Sequence, residues 1–69
     1  MSDSVYKVIE LIGVSDTSWE EAARNAIATA SKSLRDLRVA EVEKLDMTID
    51  GDGVARFRTR LSLSFKYED

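Results

Sequence analysis

The chain has 69 residues, neither cysteine nor histidine, and a formal net charge of −3 at pH 7. This composition excludes a disulfide scaffold and a cysteine-based zinc site, and it removes the commonest general base. Acidic and basic residues are interspersed, which argues against a nucleic-acid-binding protein, and no apolar run approaches the roughly 20 residues of a membrane span. With no signal peptide visible, we expect a soluble cytoplasmic protein with one domain, residues 1–69.

The shortness of the chain predicts self-association. A domain of this size buries only roughly 60% of the surface that its unfolded form exposes. Small domains usually compensate with disulfides, metal ions or oligomerisation. Since cysteine is absent, we favour oligomerisation.

Residues Val5–Val14 are rich in branched apolar side chains, which predicts a first strand. Gly13 within it marks either a bulge or a close approach of another element. Both faces of the strand are apolar, and one helix covers only one of them, so we expect a neighbouring subunit on the other. One face carries Val5, Ile9 and Leu11, and the other carries Tyr6, Val8, Ile12 and Val14.

A helix is predicted from Trp19 to about Asp36. Ser18 followed by Glu21 is a capping box, which satisfies backbone donors at the start of a helix. Many residues of the apolar stripe are alanines, which allow a sheet to approach closely. The stripe recurs at steps of three and four residues and consists of Trp19, Ala22, Ala23, Ala26, Ile27, Ala30, Leu34 and Leu37.

A β-hairpin is predicted for the rest of the chain, with strands Arg38–Asp50 and Val54–Tyr67 around the turn Gly51–Gly53. The last strand alternates cleanly. Apolar residues and Thr59 occupy one face, and arginine, serine and lysine occupy the other. In the preceding strand, strict alternation places Val39, Glu41, Glu43, Leu45, Met47 and Ile49 on one face.

A three-residue turn sets the register of this hairpin. It pairs Asp50 with Val54 and keeps apolar residues opposite apolar residues, whereas a two-residue turn would place Leu45 against Arg58. The predicted pairs are Leu45–Thr59, Met47–Phe57, Asp46–Arg58, Thr48–Arg56 and Lys44–Arg60. The fold class is therefore α+β in the order β-α-β-β, with a three-stranded antiparallel sheet curled round one helix. The strands are longer than the helix and extend beyond it.

The same order and residues resemble the dodecin family. The segments that carry the resemblance are VYKVIELIG, TSWEEAARNAI, LRVAEVEKLDM and LSFKYED, which together span nearly the whole chain. Membership would imply a homododecamer, a hollow shell with ligand sites at subunit interfaces. It would also imply binding or storage of a flavin such as riboflavin, FMN or FAD, without enzymatic activity.

The resemblance also implies two flavin-binding positions, and this chain departs from the family at both. Flavin-binding dodecins stack the ring on a tryptophan whose position is Val39 here, and they bond its edge with a glutamine whose position is Arg58. Valine has no aromatic face, and such stacking contributes roughly 1–3 kcal/mol per ring. We therefore expect weak or no flavin affinity.

Val39 and Arg58, with the segments DMTID and SLSFKYED, look more like the calcium dodecins, which implies calcium. The alternative function is therefore a dodecameric shell without flavin that either binds a divalent cation such as calcium or is purely structural. Asp46, Asp50 and Asp52 could supply part of a cation site that another subunit completes. The alternative is that residues 50–53 form an ordinary turn and Asp46 pairs with Arg58. The sequence leaves the metal ligands unassigned.

Three further features have structural and functional interpretations. The row Arg56, Arg58, Arg60 could bind a phosphate or a polyanion, but a solvated face or ion pairs are the simpler interpretation. Glu41 and Glu43 could act as an acid and base, although the end of a strand or a salt bridge explains them better. Trp19 could be a ligand platform, but an anchor at the start of the helix is favoured.

Overall fold

The computed structural model describes residues 5–53 and 55–66. The observed order is the predicted β-α-β-β. Strand boundaries agree with the predictions to within one residue, while the predicted strand ends at Val54 and Tyr67 lie outside the described residues. The elements are β1 (Tyr6–Ser15), α1 (Trp19–Ser31), β2 (Leu37–Ile49) and β3 (Ala55–Lys66).

The three strands form one antiparallel sheet in the order β1-β3-β2, so β3 is central. As its alternating pattern predicts, one face of β3 is buried against α1. Thr59, Leu61 and Leu63 on that face are each only 1% exposed. We call the face toward α1 the inner face of the sheet and the opposite one the outer face.

The helix begins as predicted. The side chain of Ser18 accepts a hydrogen bond from the backbone N–H of Glu21 at 3.0 Å. The alanine stripe faces the sheet, and its members Ala22, Ala26 and Ala30 are buried. Small side chains therefore allow the close packing of helix on sheet that the sequence indicated.

The predicted end of the helix at Asp36 is wrong, because α1 ends at Ser31. The N–H of Lys32 donates to the carbonyl of Thr29, three residues earlier in the chain, whereas an α-helix bonds residues four apart. Asp36 then takes a left-handed backbone conformation with φ 57°, which redirects the chain into β2. Leu34 reaches the core from this connection and Leu37 from the first position of β2, rather than from the helical stripe.

Gly13 marks a close approach, the second of the two predicted alternatives. A Cβ atom at this position would lie 1.8 Å from the carbonyl oxygen of Ala22 and 3.1 Å from the Cβ of Ala26. The helix therefore crosses β1 at a distance that only glycine permits. This crossing holds the first two turns of α1 on the sheet.

The hairpin register is confirmed for every predicted pair within the described residues, while the pair of Asp50 with Val54 lies outside them. A hydrogen bond closes the turn: the N–H of Gly53 donates to the carbonyl of Asp50 at 2.9 Å, and Gly53 has a φ of 89°. The observed pairs are Leu45–Thr59, Met47–Phe57, Asp46–Arg58, Thr48–Arg56 and Lys44–Arg60.

The predicted face of Val39 is wrong. A register shift between Val42 and Lys44 leaves Glu43 as an extra residue, so strict alternation along β2 breaks there. Before the shift, Val42 lies opposite the buried Leu61, and Val39 lies opposite Ser64. Val39 and Glu41 are consequently on the outer face, whereas Leu45, Met47 and Ile49 are on the inner one.

The hairpin extends well beyond the helix. The 13 residues of β2 span roughly 43 Å, whereas the 13 residues of α1 span roughly 20 Å. The chain is accordingly elongated, with extents of 56 × 20 × 15 Å. We call residues 44–53 and 55–60 the arm.

Candidate ligand site at the sheet surface

Arg58 is held in a bidentate ion pair on the outer face. Its Nε donates to Oδ1 of Asp46 at 2.7 Å, and its Nη2 donates to Oδ2 at 3.1 Å. These hydrogen bonds lower the pKa of the Asp46 carboxyl group and raise the pKa of the Arg58 guanidinium group. The predicted pair is confirmed, and it occupies two of the donors with which Arg58 could contact a ligand.

Val39, the other predicted position, is 61% exposed and presents an aliphatic side chain on the outer face. The bulge places Val39 and Arg58 on the same face, contrary to the flat-strand expectation. They are nevertheless far apart, because Ser64, the partner of Val39, is six positions from Arg58 on β3. That separation is roughly 20 Å, so a small-molecule site that used both positions would need two subunits.

The arginine row on β3 is largely neutralised by carboxylates. Arg56 donates to Asp16 at 2.9 Å, and Arg58 donates to Asp46. Arg60 lies opposite Lys44. Ion pairing, the simpler of the two predicted interpretations, is confirmed for the first two arginines, although the partner of Arg56 comes from the loop after β1.

Trp19 anchors the start of the helix to the arm, as the favoured interpretation predicted. Its indole Nε1 donates to the backbone carbonyl of Asp46 at 3.0 Å, and its ring meets Phe57 edge to face at 5.0 Å. The hydroxyl of Thr59 also donates to the carbonyl of Trp19 at 2.9 Å. These contacts connect the helix to the base of the arm.

The acidic residues considered as metal ligands do not form a complete site within one subunit. Among residues 5–53 and 55–66, no three acidic side chains lie close enough together to hold a metal ion. The carboxylate of Asp46 is bound to Arg58, and that of Glu43 accepts a hydrogen bond from Ser62. A calcium ion, which takes six to eight oxygen ligands, would need donors from another subunit.

Two apolar surfaces are uncovered among the residues that the structure describes. The β1 strip is the apolar outer face of the first strand, and the arm strip is the apolar inner face of β2 toward the turn. Sequence alternation indicated the β1 strip. It did not reveal the arm strip, because the place where α1 lies on the sheet decides whether those side chains are covered. The β1 strip comprises Tyr6, Val8, Ile12 and Val14, and the arm strip comprises Val42, Leu45, Met47 and Ile49, all of them exposed.

No helix in the described part of the chain is long and apolar enough to cross a membrane.

Comparison with known proteins gives one consistent family. The Dodecin family model matches residues 5–68. The calcium dodecin of Mycobacterium tuberculosis is 51% identical over 63 residues, which cover 91% of this chain and 89% of that protein. The dodecin of Thermus thermophilus is 38% identical over 65 residues, which cover 94% of each chain.

Solved structures give the same result. One match is the crystal structure of the M. tuberculosis calcium dodecin, which is described as calcium chelating with a novel calcium-binding site. It matches with a TM-score of 0.88 at 49% identity, and the match covers 94% of this chain and 93% of that protein. The dodecin of Streptomyces coelicolor matches with a TM-score of 0.92 at 36% identity, and the match covers 100% of this chain and 99% of that protein. The predicted resemblance is confirmed, and the chain belongs to the dodecin family.

Proposed function

We propose that this chain is a non-enzymatic subunit of a hollow homododecamer, a binding or storage shell whose ligand sites form between subunits. The observation that carries the proposal is the pair of uncovered strips on opposite faces of one thin sheet. The buried hydrophobic residues of the described chain are only Ala22, Ala26, Ala30, Leu61 and Leu63. So small a core makes the isolated subunit marginal, and burial of both strips would supply the missing stabilisation.

Assembly is tested by light scattering coupled to size-exclusion chromatography and by native mass spectrometry. Twelve chains of 7.7 kDa give about 92 kDa. One species of that mass at micromolar concentration supports the proposal. A monomer at every concentration would refute it.

Flavin affinity is proposed to be weak or lost. Val39 provides no aromatic face for stacking, and Arg58 is bound to Asp46. If two subunits share one site, both lack the stacking tryptophan. The loss of these two stacking contacts would lower flavin affinity by about two to four orders of magnitude. Supporting this view, the pattern at both positions departs from that of the flavin-binding dodecins.

The test is a riboflavin titration of assembled protein, followed by quenching of flavin fluorescence. We expect no quenching at micromolar wild-type protein, and tighter binding in the double variant Val39→Trp with Arg58→Gln. The single variant Arg58→Gln is the matched control, since it frees Asp46 without adding a ring. If the double variant bound no better than wild type, positions 39 and 58 would not belong to a flavin site.

The second candidate is a calcium-binding shell without flavin. The observation that favours it is the 51% identity with the M. tuberculosis calcium dodecin. The exposed residues Asp50 and Asp52 at the tip of the arm would contribute to a site that another subunit completes.

Calcium is tested by the melting temperature of the assembled protein with CaCl₂, with MgCl₂ at equal ionic strength, and with a chelator. A rise that is specific to calcium and is reduced in Asp50→Asn or Asp52→Asn supports a site at the arm tip. Equal effects of the two cations would indicate general screening of charge. A calcium-specific rise unchanged in both variants would place the site elsewhere.

A further inference from the structure

The turn at the tip of the arm contains the same dipeptide twice. Asp50 is followed by Gly51, and Asp52 is followed by Gly53. All four residues are exposed. The carboxyl carbon of an aspartate lies within reach of the backbone nitrogen of the next residue, and glycine hinders their approach least because it has no side chain. Each dipeptide therefore places a carboxyl group beside a nucleophilic nitrogen in backbone that water can reach.

The two glycine nitrogens differ in the folded chain. The N–H of Gly53 donates to the carbonyl of Asp50 at 2.9 Å, and this hydrogen bond closes the turn. To attack the carboxyl group of Asp52, the nitrogen of Gly53 would have to give up that bond. The nitrogen of Gly51 takes no part in it, and a Cβ atom added at Gly51 would meet no atom within 4 Å. The peptide between Asp50 and Gly51 therefore has more freedom to rearrange.

We propose that Asp50 is a site of spontaneous isomerisation to isoaspartate, and that the closed turn protects Asp52. The nitrogen of Gly51 forms a bond to Cγ of the protonated Asp50 carboxyl group. The C–O bond to the hydroxyl group breaks, and the hydroxyl leaves with the proton of the nitrogen as water. Water then opens the resulting cyclic imide. Opening at Cγ regenerates aspartate, and opening at the main-chain carbonyl carbon yields isoaspartate.

Isomerisation alters the turn without altering the net charge. The chain gains one methylene group, and the former main-chain carbonyl of Asp50 becomes a free carboxylate. That carbonyl is the acceptor for the N–H of Gly53, so the isomerised chain loses the hydrogen bond that closes the turn. The reaction requires neither assembly nor a bound ligand. Its absence would consequently leave the proposed function untouched.

The first test compares the two positions in the folded wild-type protein. The protein is kept for several weeks at physiological temperature and mildly acidic pH, with a chelator so that no divalent cation binds the carboxylates. Fragmentation of the digested protein by electron transfer then distinguishes isoaspartate from aspartate. We expect isoaspartate to form about two- to tenfold faster at position 50 than at position 52, the factor that corresponds to breaking one hydrogen bond. Equal rates, or a faster reaction at position 52, would overturn the inference.

A parallel incubation in urea separates the effect of the turn from that of the sequence. Both aspartates precede a glycine, so the two positions should isomerise at similar rates once the chain is unfolded. A preference for Asp50 that persisted unchanged in urea would show that the closed turn is not its cause, and the inference would be wrong.

Substitutions test the two reacting groups. Gly51→Ala places a methyl group beside the attacking nitrogen and should slow the reaction at position 50, while the folded turn has space for the methyl group. Asp50→Glu keeps the charge but forms the cyclic imide far less readily, so it should remove most of the isoaspartate. Asp52→Glu is the matched control and should leave most of it. An unchanged rate in Gly51→Ala, or a larger loss in Asp52→Glu than in Asp50→Glu, would contradict the proposed reaction.

Discussion

The two halves of the sheet differ in what lies against their inner face. In the half beneath α1, Leu61 and Leu63 are almost completely buried. In the arm, Leu45, Met47 and Ile49 continue the same face, yet they remain exposed because α1 begins at Trp19, at the base of the arm, and lies over the other half. The same alternation thus produces a core in one half and an uncovered apolar surface in the other. Covering elements, rather than strand patterns alone, decide which residues form a core.

The largest effect is expected at Leu61 in the covered half. Leu61→Ala leaves a cavity between the helix and the sheet and should lower the free energy of unfolding by about 2–5 kcal/mol. Thr48→Ala on the exposed outer face of the arm should change it by less than about 0.5 kcal/mol. Urea unfolding at one protein concentration measures both. A loss at Leu61 no greater than that at Thr48 would contradict the assignment of the core.

A glycine in each half permits the same substitution in both. In Gly13→Ala the new methyl group meets the carbonyl oxygen of Ala22, which cannot move without shifting the helix, so we expect a loss of about 1–3 kcal/mol. At Gly51 no atom lies within 4 Å of the added methyl group, and Gly51→Ala should be nearly neutral. Thermal and urea unfolding test this difference. Equal stabilities would mean that the helix does not cross β1 as closely as described.

Trp19→Phe tests the connection between the halves. The variant keeps an aromatic ring near Phe57 but loses the hydrogen bond to the carbonyl of Asp46, at a cost of about 0.5–1.5 kcal/mol. Amide hydrogen exchange should accelerate in the arm more than at the β1–β3 pairs. Uniform acceleration across all three strands would show that Trp19 stabilises the whole subunit rather than the arm.

The smallest effect is expected from the ion pair on the outer face of the arm. The lowered pKa of Asp46 means that its ionised form is stabilised in the folded chain. This contribution is complete above the unfolded pKa of an aspartate, about 3.9, and is lost as the pH falls through the lower folded pKa. Asp46→Asn should therefore lower the melting temperature at pH 7, and its difference from wild type should shrink below about pH 4. A difference that stays constant between pH 7 and pH 3 would assign the effect to something other than this charge.

Much of the local structure was predictable because its causes are local. The capping residue Ser18, the glycine turn after Asp50 and the alternation of β3 each reflect contacts within a few residues of sequence. The Asp46–Arg58 pair also followed from the sequence, because the turn length determines the register on both sides of the turn. The C-terminal end of α1 and the bulge at Glu43 were not predictable in this way. Leu34 and Leu37 match a helical stripe as well as they match the observed connection and the start of β2, and nothing in the residues around Glu43 signals an extra residue.

For the candidate site, too, the identities of the residues were predictable and their geometry was not. Val39 and Arg58 were identified as candidate site residues from a family resemblance. Their chemistry follows from the sequence alone, since valine has no aromatic face and arginine is charged. Their geometry depends on the bulge, which brings Val39 to the outer face, and on the register, which separates it from Arg58. The groove between Trp19, Leu45 and Thr59 was not predicted at all, because its residues come from α1, β2 and β3 and are distant in sequence.

The sequence by itself determined the order of the elements, the start of the helix, the hairpin register and the membership of the family. Each of these depends on short-range backbone chemistry, on side-chain periodicity or on the identity of particular residues. Only the tertiary structure decided where the helix stops, which face Val39 occupies and which apolar residues stay uncovered. These features depend on how the helix and the sheet pack against each other, and packing between distant segments is not encoded in the pattern of either segment alone.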